Sequence, residues 1–337
     1  MDRRPEAPPA RLSRFARRQE AAGVCPAGRE VKAARRKALP GDRVAPESLP
    51  VRVSNPDKVF WPDEGYTKLD LVRFYDFIFP KLKPWMKDRL ISLKRCPNGL
   101  AGKCFFQKEK PDSMPADTPT KRIVHENGIR NYVVGGKKET QLALANLGCI
   151  AVHVWGARAP SPRQPDWLCF DLDPDSGKFA DAARAGVRVK SALDALKLVS
   201  FAKTSGKKGL HVFVPIRVGP DADEVRWFAE VLGTKLATAY PRELTMEGSI
   251  AKRKGRVYLD PFRNGFAQTV VSPFCVRRFP RAPISTPLEW SEVKPTLDPG
   301  VFNISTFEAR LAKPDPWADF WKSRQDLKPA IAALQRL

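Results

Sequence analysis

The sequence predicts an α+β fold, two small mixed or antiparallel sheets with flanking helices enclosing a cleft, and three patterns carry that expectation. Residues Trp167-Leu168-Cys169-Phe170-Asp171-Leu172-Asp173-Pro174 alternate as a strand does, placing Leu168, Phe170 and Leu172 on one face and Cys169, Asp171 and Asp173 on the other. An amphipathic helix over 179–198 follows, with Ala182, Ala185, Val189, Ala192, Leu193 and Leu196 along one side. A glycine- and lysine-rich turn, Ser205-Gly206-Lys207-Lys208-Gly209, then feeds a second strand through His211, Val212 and Val214.

Two of these pieces carry chemistry. Carboxylates at adjacent same-face positions repel each other, and a cation between them relieves that repulsion. Hard oxygen ligands favour Mg²⁺ or Mn²⁺. In the turn, glycines let backbone amides approach an anion, and Ser205, Lys208 and His211 add side-chain donors, a set suited to a triphosphate. A carboxylate strand joined by one helix to a phosphate cradle points to nucleotidyl transfer. Taken alone, the first motif also reads as a solvated strand end and the second as a surface turn.

The chain of 337 residues is long enough for one large domain or two smaller ones, and 42% hydrophobic content fits a globular protein. A formal net charge of +22 points to a polyanionic partner. No apolar run is long enough to span a bilayer, and the Arg-rich N-terminus is not a secretory signal, so a membrane protein is excluded and a cytoplasmic, nucleoid-associated location is expected. The six cysteines form no CxxC pair, and Cys149 and Cys169 sit among apolar residues; reduced buried thiols are expected rather than disulfides or zinc.

Residues 1–50 are rich in Arg, Ala, Pro and Glu, with two short basic helices conceivable over 10–22 and 29–37. They read as a flexible basic arm or an inert tail, and the catalytic domain is expected over 51–337. Asn55-Pro56 marks a turn, and Thr67 caps a helix over 68–79 with Leu69, Val72, Phe77 and Ile78 as its apolar set. Leu90 to Arg95 alternates as a strand. In a strand through Phe105-Phe106 the two rings point opposite ways, so only one can belong fully to the core. An exposed aromatic beside Lys94 and Lys108 suits base stacking with phosphate neutralisation. A strand over 129–134, a Gly135–Lys138 hairpin turn, a helix over 139–147 and a buried strand over 149–155 carrying His153 come next. A helix over 223–240 reads as scaffold. A strand after Gly255 puts Arg256, Tyr258 and Asp260 on one face, and Asp260-Pro261 repeats the strand-end carboxylate of Asp173-Pro174. Residues 280–290 read as an ordered proline-rich connector, with terminal helices over 302–313 and 316–337.

The run DLDP, then a helix, then KTSGxKGLHV resembles the polymerase domain of bacterial ligase D, the end-joining branch of the archaeo-eukaryotic primase superfamily, and the similarity extends from about residue 51 to about 321. The resemblance implies that fold and a template-dependent nucleotidyltransferase, adding ribo- or deoxynucleotides at DNA ends or gaps in non-homologous end joining. Asp171, Asp173 and Asp260 match the family's metal carboxylates, for two divalent ions, Mn²⁺ or Mg²⁺. Lys94, His153, Ser205, Lys208, His211, Arg253, Arg263 and Arg277 match nucleotide-site groups, with Gln268 in the same region. Phe105 and Phe106 match base-stacking residues, and Asn55, Lys58 and Lys68 match a pocket for the 5′-phosphate at a break. Read without the resemblance, Lys58 and Lys68 are solvated lysines and His153 is a structural strand histidine. One departure stands out: Phe279 replaces a second arginine that many relatives carry, and Arg278 is the available substitute. The implied partners are broken or gapped DNA and nucleoside triphosphates, with Ku and a separate ATP-dependent DNA ligase as candidates. With no ligase lysine motif or nuclease signature in the chain, a stand-alone polymerase unit is expected. The rival readings are a de novo primase and an inactive basic nucleic-acid scaffold; the intact carboxylate set speaks against the latter.

Overall fold

A computed structural model describes residues 37–336. The expected helices over 10–22 and 29–37 lie outside those residues, apart from Lys37 itself. Among the described residues two six-stranded sheets dominate. The first runs in the order Leu244–Thr245, Val257–Asp260, Trp167–Pro174, Leu210–Pro215, Phe201–Thr204, Pro287–Leu288, almost entirely antiparallel. The second runs Thr269–Val271, Cys149–Arg158, Arg89–Arg95, Gly128–Val134, Thr120–His125, with Phe105–Gln107 paired to Arg89–Arg95. The α+β expectation of two sheets with flanking helices is met.

The alternation in the carboxylate strand is realised. Leu168, Phe170 and Leu172 enter a core with helices Phe179–Ala195 and Ala222–Ala239. Trp167 and Cys169, on the other face, join a core shared with Ile91, Leu93, Val152 and Val154 of the second sheet. The same face carries Asp171 and Asp173, which are only partly covered, so the cleft forms where the packing between the sheets ends. A buried ion pair links the sheets: Arg89 of the second sheet to Asp166, just before the carboxylate strand, with Arg158 Nε 2.6 Å from the other carboxylate oxygen.

Several local expectations differ from the structure. The helix capped by Thr67 runs Lys68–Met86, past Phe79, with Pro80 and Pro84 inside it. Buried Leu82, Trp85 and Met86 extend its apolar face, and their burial outweighs the donors lost at the prolines. The Gly135-Gly136 segment leads into helix Lys138–Asn146 rather than closing a hairpin; the hairpin partner of Gly128–Val134 is the unexpected strand Thr120–His125. The C-terminal helices are short, Phe307–Leu311 and Lys328–Gln335, because Trp317, Phe320 and Trp321 fold back in irregular turns onto Trp85. Core packing also begins before residue 51, since Leu39 and Leu49 are buried in the first cluster.

Cys149, Cys169 and Cys275 are buried thiols as expected, but Cys96 and Cys104 are joined in a disulfide. The strand ending at Arg95 and the strand starting at Phe105 are antiparallel neighbours, which brings the two ends of the intervening loop together. Sequence spacing alone does not reveal that pairing.

Candidate active site

Strand register assembles the site. Asp171 lies opposite Asp260 on one side and His211 on the other, and His211 lies opposite Lys203. Directly opposed residues share a face, so Asp260, Asp171, His211 and Lys203 form one row across four strands. Asp173 sits two residues on, opposite Tyr258.

Each carboxylate already faces a cation. Arg263 Nε lies 3.2 Å from Asp171 Oδ2 and 3.1 Å from Asp260 Oδ2. Arg253 Nη1 donates to Asp173 Oδ2 at 2.8 Å, and Lys208 Nζ stands 3.6 Å from Asp173 Oδ1 while donating to the Pro174 carbonyl. Burial raises the Asp260 carboxyl above its ordinary range, with Arg263 opposing. Burial would raise Asp171 too, but His211, Arg263 and Lys203 together hold it low.

His211 is buried, and desolvation together with the nearby Lys203 pushes its pKa down to about 4. At neutral pH it is therefore uncharged and meets Asp171 Oδ1 through Nε2 at 3.3 Å, leaving Nδ1 buried without a hydrogen-bond partner among the described residues. Lys203, at the end of this row, is fully buried. Its Nζ donates to Ser285 Oγ at 2.6 Å, and desolvation lowers its pKa to about 7.

The Ser205–Gly209 turn is closed by two hydrogen bonds between its ends, Ser205 N–H to the Gly209 carbonyl and Gly209 N–H to Ser205 Oγ. Gly206 has φ +78°, and a Cβ there would lie 2.4 Å from Arg277 Cγ, so glycine is required twice over. Arg277 Nη1 donates to the Ser205 carbonyl at 2.8 Å, which brings Arg277 to the turn. Arg263 is positioned by its neighbour Asn264, whose amide bonds both the N–H and the carbonyl of Cys169 in the carboxylate strand. Asn264 escaped sequence reasoning, since an asparagine after a strand carries no signal of such a distant anchor.

On the second sheet, Lys94 Nζ lies 5.3 Å from the Phe106 ring centroid, and burial, then Arg277 and Arg278, lower its pKa. His153 meets the Phe106 ring edge-on at 6.1 Å, and burial keeps the imidazole neutral. Phe105 and Phe106 are both exposed, at 47% and 63%, so neither belongs to the core. Their three-residue strand pairs on one side only, which leaves both faces uncovered. Gln268 is exposed and lines a small cleft with Trp155 and Asn264, apart from the carboxylates' hydrogen-bonded partners. Arg278 is not a free substitute for the missing arginine, because its guanidinium is spent on the carbonyls of Gly99, Leu100 and Gly102.

The residues near the chain's start form a separate basic pocket. Asn55 adopts a left-handed turn, φ 45°, and its carbonyl accepts from Lys58 N–H. Lys68 is buried at the start of its helix, with Nζ donating to Ser54 Oγ at 2.9 Å and the Asn146 carbonyl at 3.3 Å. Burial and the charge of Lys58 lower its pKa. Ser54 and Asn146 were not foreseen.

The donor set suits hard divalent ions: Asp171 and Asp260 face each other across adjacent strands, and burial raises the pKa of the neighbouring Cys169 well above its ordinary value, so it stays a thiol. Among the described residues, however, no three His, Cys, Asp or Glu side chains converge as a ready-made metal cluster, and Asp173 is engaged by Arg253. Among those residues, too, no helix is long and apolar enough to cross a membrane.

Residues 67–317 match the family model described as LigD, primase-polymerase domain. The chain is 30% identical over 286 residues to the bifunctional non-homologous end joining protein LigD of Bacillus subtilis, covering 83% of this chain and 46% of that protein. It is 29% identical over 320 residues to the multifunctional LigD of Pseudomonas aeruginosa, covering 93% and 38%. The chain thus spans less than half the length of these curated relatives. Among solved structures it is similar to the polymerase domain of Mycobacterium tuberculosis ligase D in complex with DNA, with a TM-score of 0.75 and 26% identity over 81% of this chain and 98% of that one.

Proposed function

Because the chain belongs to the LigD primase-polymerase domain family, and is thus a nucleotidyltransferase of polymerase type, we propose that it adds ribo- or deoxynucleotides to DNA ends or gaps during non-homologous end joining. The observation that carries this reading is the cross-strand pair Asp171 and Asp260, backed by His211 and bordered by the Ser205–Gly209 turn. The catalytic unit takes in residues 51–337 with the core-packed stretch around Leu39 and Leu49, and the residues before that stretch serve as a basic arm in the cytoplasm, at the nucleoid.

Asp171 and Asp260, with Asp173 once Arg253 releases it, would hold two divalent ions, Mg²⁺ or Mn²⁺. Bound there, the ions would lower the pKa of a primer 3′-hydroxyl and stabilise charge on the α-phosphate. The protein's own part is positioning. Ser205, Lys208, Arg253, Arg263 and Arg277 neutralise the β- and γ-phosphates, and an incoming triphosphate draws Arg253 and Arg263 off the carboxylates. His211 orients Asp171, and Lys94 and His153 border the sugar, where a 2′-hydroxyl is sensed. Phe105 and Phe106 offer faces to unpaired bases, whose stacking is worth about 1–3 kcal/mol each. Asn55, Lys58 and Lys68 take the 5′-phosphate on the far side of the break. Partners in the pathway would be Ku and a separate ATP-dependent ligase.

Extension of a gapped, 5′-phosphorylated duplex with labelled ribo- and deoxynucleotides tests the reading. Primer-dependent addition of templated nucleotides is the expected result. Dinucleotide synthesis without a primer would favour a priming enzyme, and no incorporation with either metal would remove the assignment.

A further inference from the structure

The loop closed by Cys96 and Cys104 is held against the basic pocket from several sides. The disulfide joins its ends. Leu100 N–H donates to the Phe60 carbonyl at 2.7 Å, and Gly99, at φ +62°, lies so close to Phe60 that a Cβ would come within 2.4 Å of its Cα. Arg278 then ties down the carbonyls of Gly99, Leu100 and Gly102. Residues 58–60 and 98–102 therefore behave as one rigid piece.

From that loop the side chain of Asn98 reaches Lys58. Lys58 Nζ donates to Asn98 Oδ1 at 2.6 Å. An ammonium group can only donate, so this contact sets the amide's orientation and leaves Nδ2, with two donor hydrogens, beside the ammonium. Asn98 is exposed to solvent, and Gly102 packs against its Cβ, where any larger residue would collide. Neither Lys58 nor Lys68 has a carboxylate partner among the described residues; Lys68 N–H donates to the Lys58 carbonyl at 2.8 Å, and burial, then the charge of Lys58, lowers the pKa of Lys68. Two convergent lysines with no acid between them, flanked by an oriented amide donor, favour a dianionic phosphate over a diester.

We propose that Asn98 is a specificity-determining residue for the 5′-phosphate terminus of DNA, donating through Nδ2 to the phosphate while Oδ1 holds Lys58. This rests on the reading of Asn55, Lys58 and Lys68 as the 5′-phosphate pocket. Asn98 thus does two jobs, and the two separate by substitution. Asn98→Ala removes both. Asn98→Asp keeps the acceptor for Lys58 but loses the donor and adds a charge that repels phosphate.

The test measures Kd of the full chain by fluorescence anisotropy at low salt, on matched gapped duplexes ending in 5′-phosphate or 5′-hydroxyl. The variants are wild type, Asn98→Ala, Asn98→Asp, and Lys58→Ala with Lys68→Ala. The expected result is a wild-type preference for phosphate that falls about tenfold in Asn98→Ala and disappears in Asn98→Asp, with 5′-hydroxyl affinity unchanged in both. If Asn98→Asp keeps the wild-type preference, the residue only holds Lys58 and the donor assignment is overturned. If the lysine pair matters and neither Asn98 variant does, the inference about Asn98 fails while the pocket stands. A wild type indifferent to the phosphate removes the pocket and the inference together.

Discussion

Asp171 and Asp260 are direct cross-strand partners, 89 residues apart in the chain, and a single guanidinium bridges them: Arg263 Nε is within 3.2 Å of one and 3.1 Å of the other. Two anions set side by side in a partly buried cleft need a cation between them. Arginine fills that role here. Asp171→Ala or Asp260→Ala is expected to abolish nucleotide addition while leaving DNA affinity within about twofold, because phosphate contacts elsewhere supply most of the binding. Primer extension and anisotropy on the same preparations check this. Extension at the wild-type rate by either variant would end the assignment.

His211 bonds Asp171 and is neutral at pH 7. Its replacement by alanine is expected to raise the nucleotide KM about tenfold, with the DNA Kd unchanged. A purely structural histidine predicts a different pattern: a large drop in Tm with the nucleotide KM unaltered.

The pair Lys58→Ala with Lys68→Ala is expected to erase any preference for 5′-phosphorylated gaps while sparing extension of a simple primer-template. The wild-type preference itself should shrink between about 50 and 200 mM salt, since Lys58 is only partly covered. A salt titration of the two Kd values gives the answer. An undiminished preference in the double variant would place phosphate recognition elsewhere.

Arg89 and Asp166 form an ion pair that is almost wholly buried where the two sheets meet. Desolvation pulls the Arg89 pKa down to about 10, still well above neutrality, so the pair is charged at pH 7. Asp166→Ala would leave Arg89 buried without its counter-ion, at a cost of about 3–5 kcal/mol. Denaturant unfolding should register that loss, while the nucleotide KM of the folded fraction stays as in wild type. A destabilisation below about 1 kcal/mol would mean that the carbonyls of Trp155 and Gly156, which also accept from Arg89, suffice.

The faces of the carboxylate strand were legible in the sequence because alternation depends only on local geometry. Leu168, Phe170 and Leu172 did go to one core, and Asp171 and Asp173 to the cleft. Partnership was not legible in the same way. Nothing in the sequence around Asp260 announces that it faces Asp171 rather than Asp173, since register is set by distant packing. Alternation alone did not decide between core and solvent for Phe105 and Phe106; the resemblance pointed both towards bases, and both are exposed. Asn264, Asn98 and Asn146 were missed because an asparagine's role depends on which chain segment folds over it.

The bond between Cys96 and Cys104 cross-links the segment between two paired strands. Its loop carries Asn98 at one end and runs straight into Phe105 at the other, so the two contact points proposed above, one for a 5′-phosphate and one for an unpaired base, sit on a single stapled piece of chain. Closing so short a loop removes about 2–3 kcal/mol of chain entropy from the opened form. Without the bond, residues 97–103 would be held by the Leu100 N–H to the Phe60 carbonyl, the packing of Gly99 on Phe60 and the bonds from Arg278.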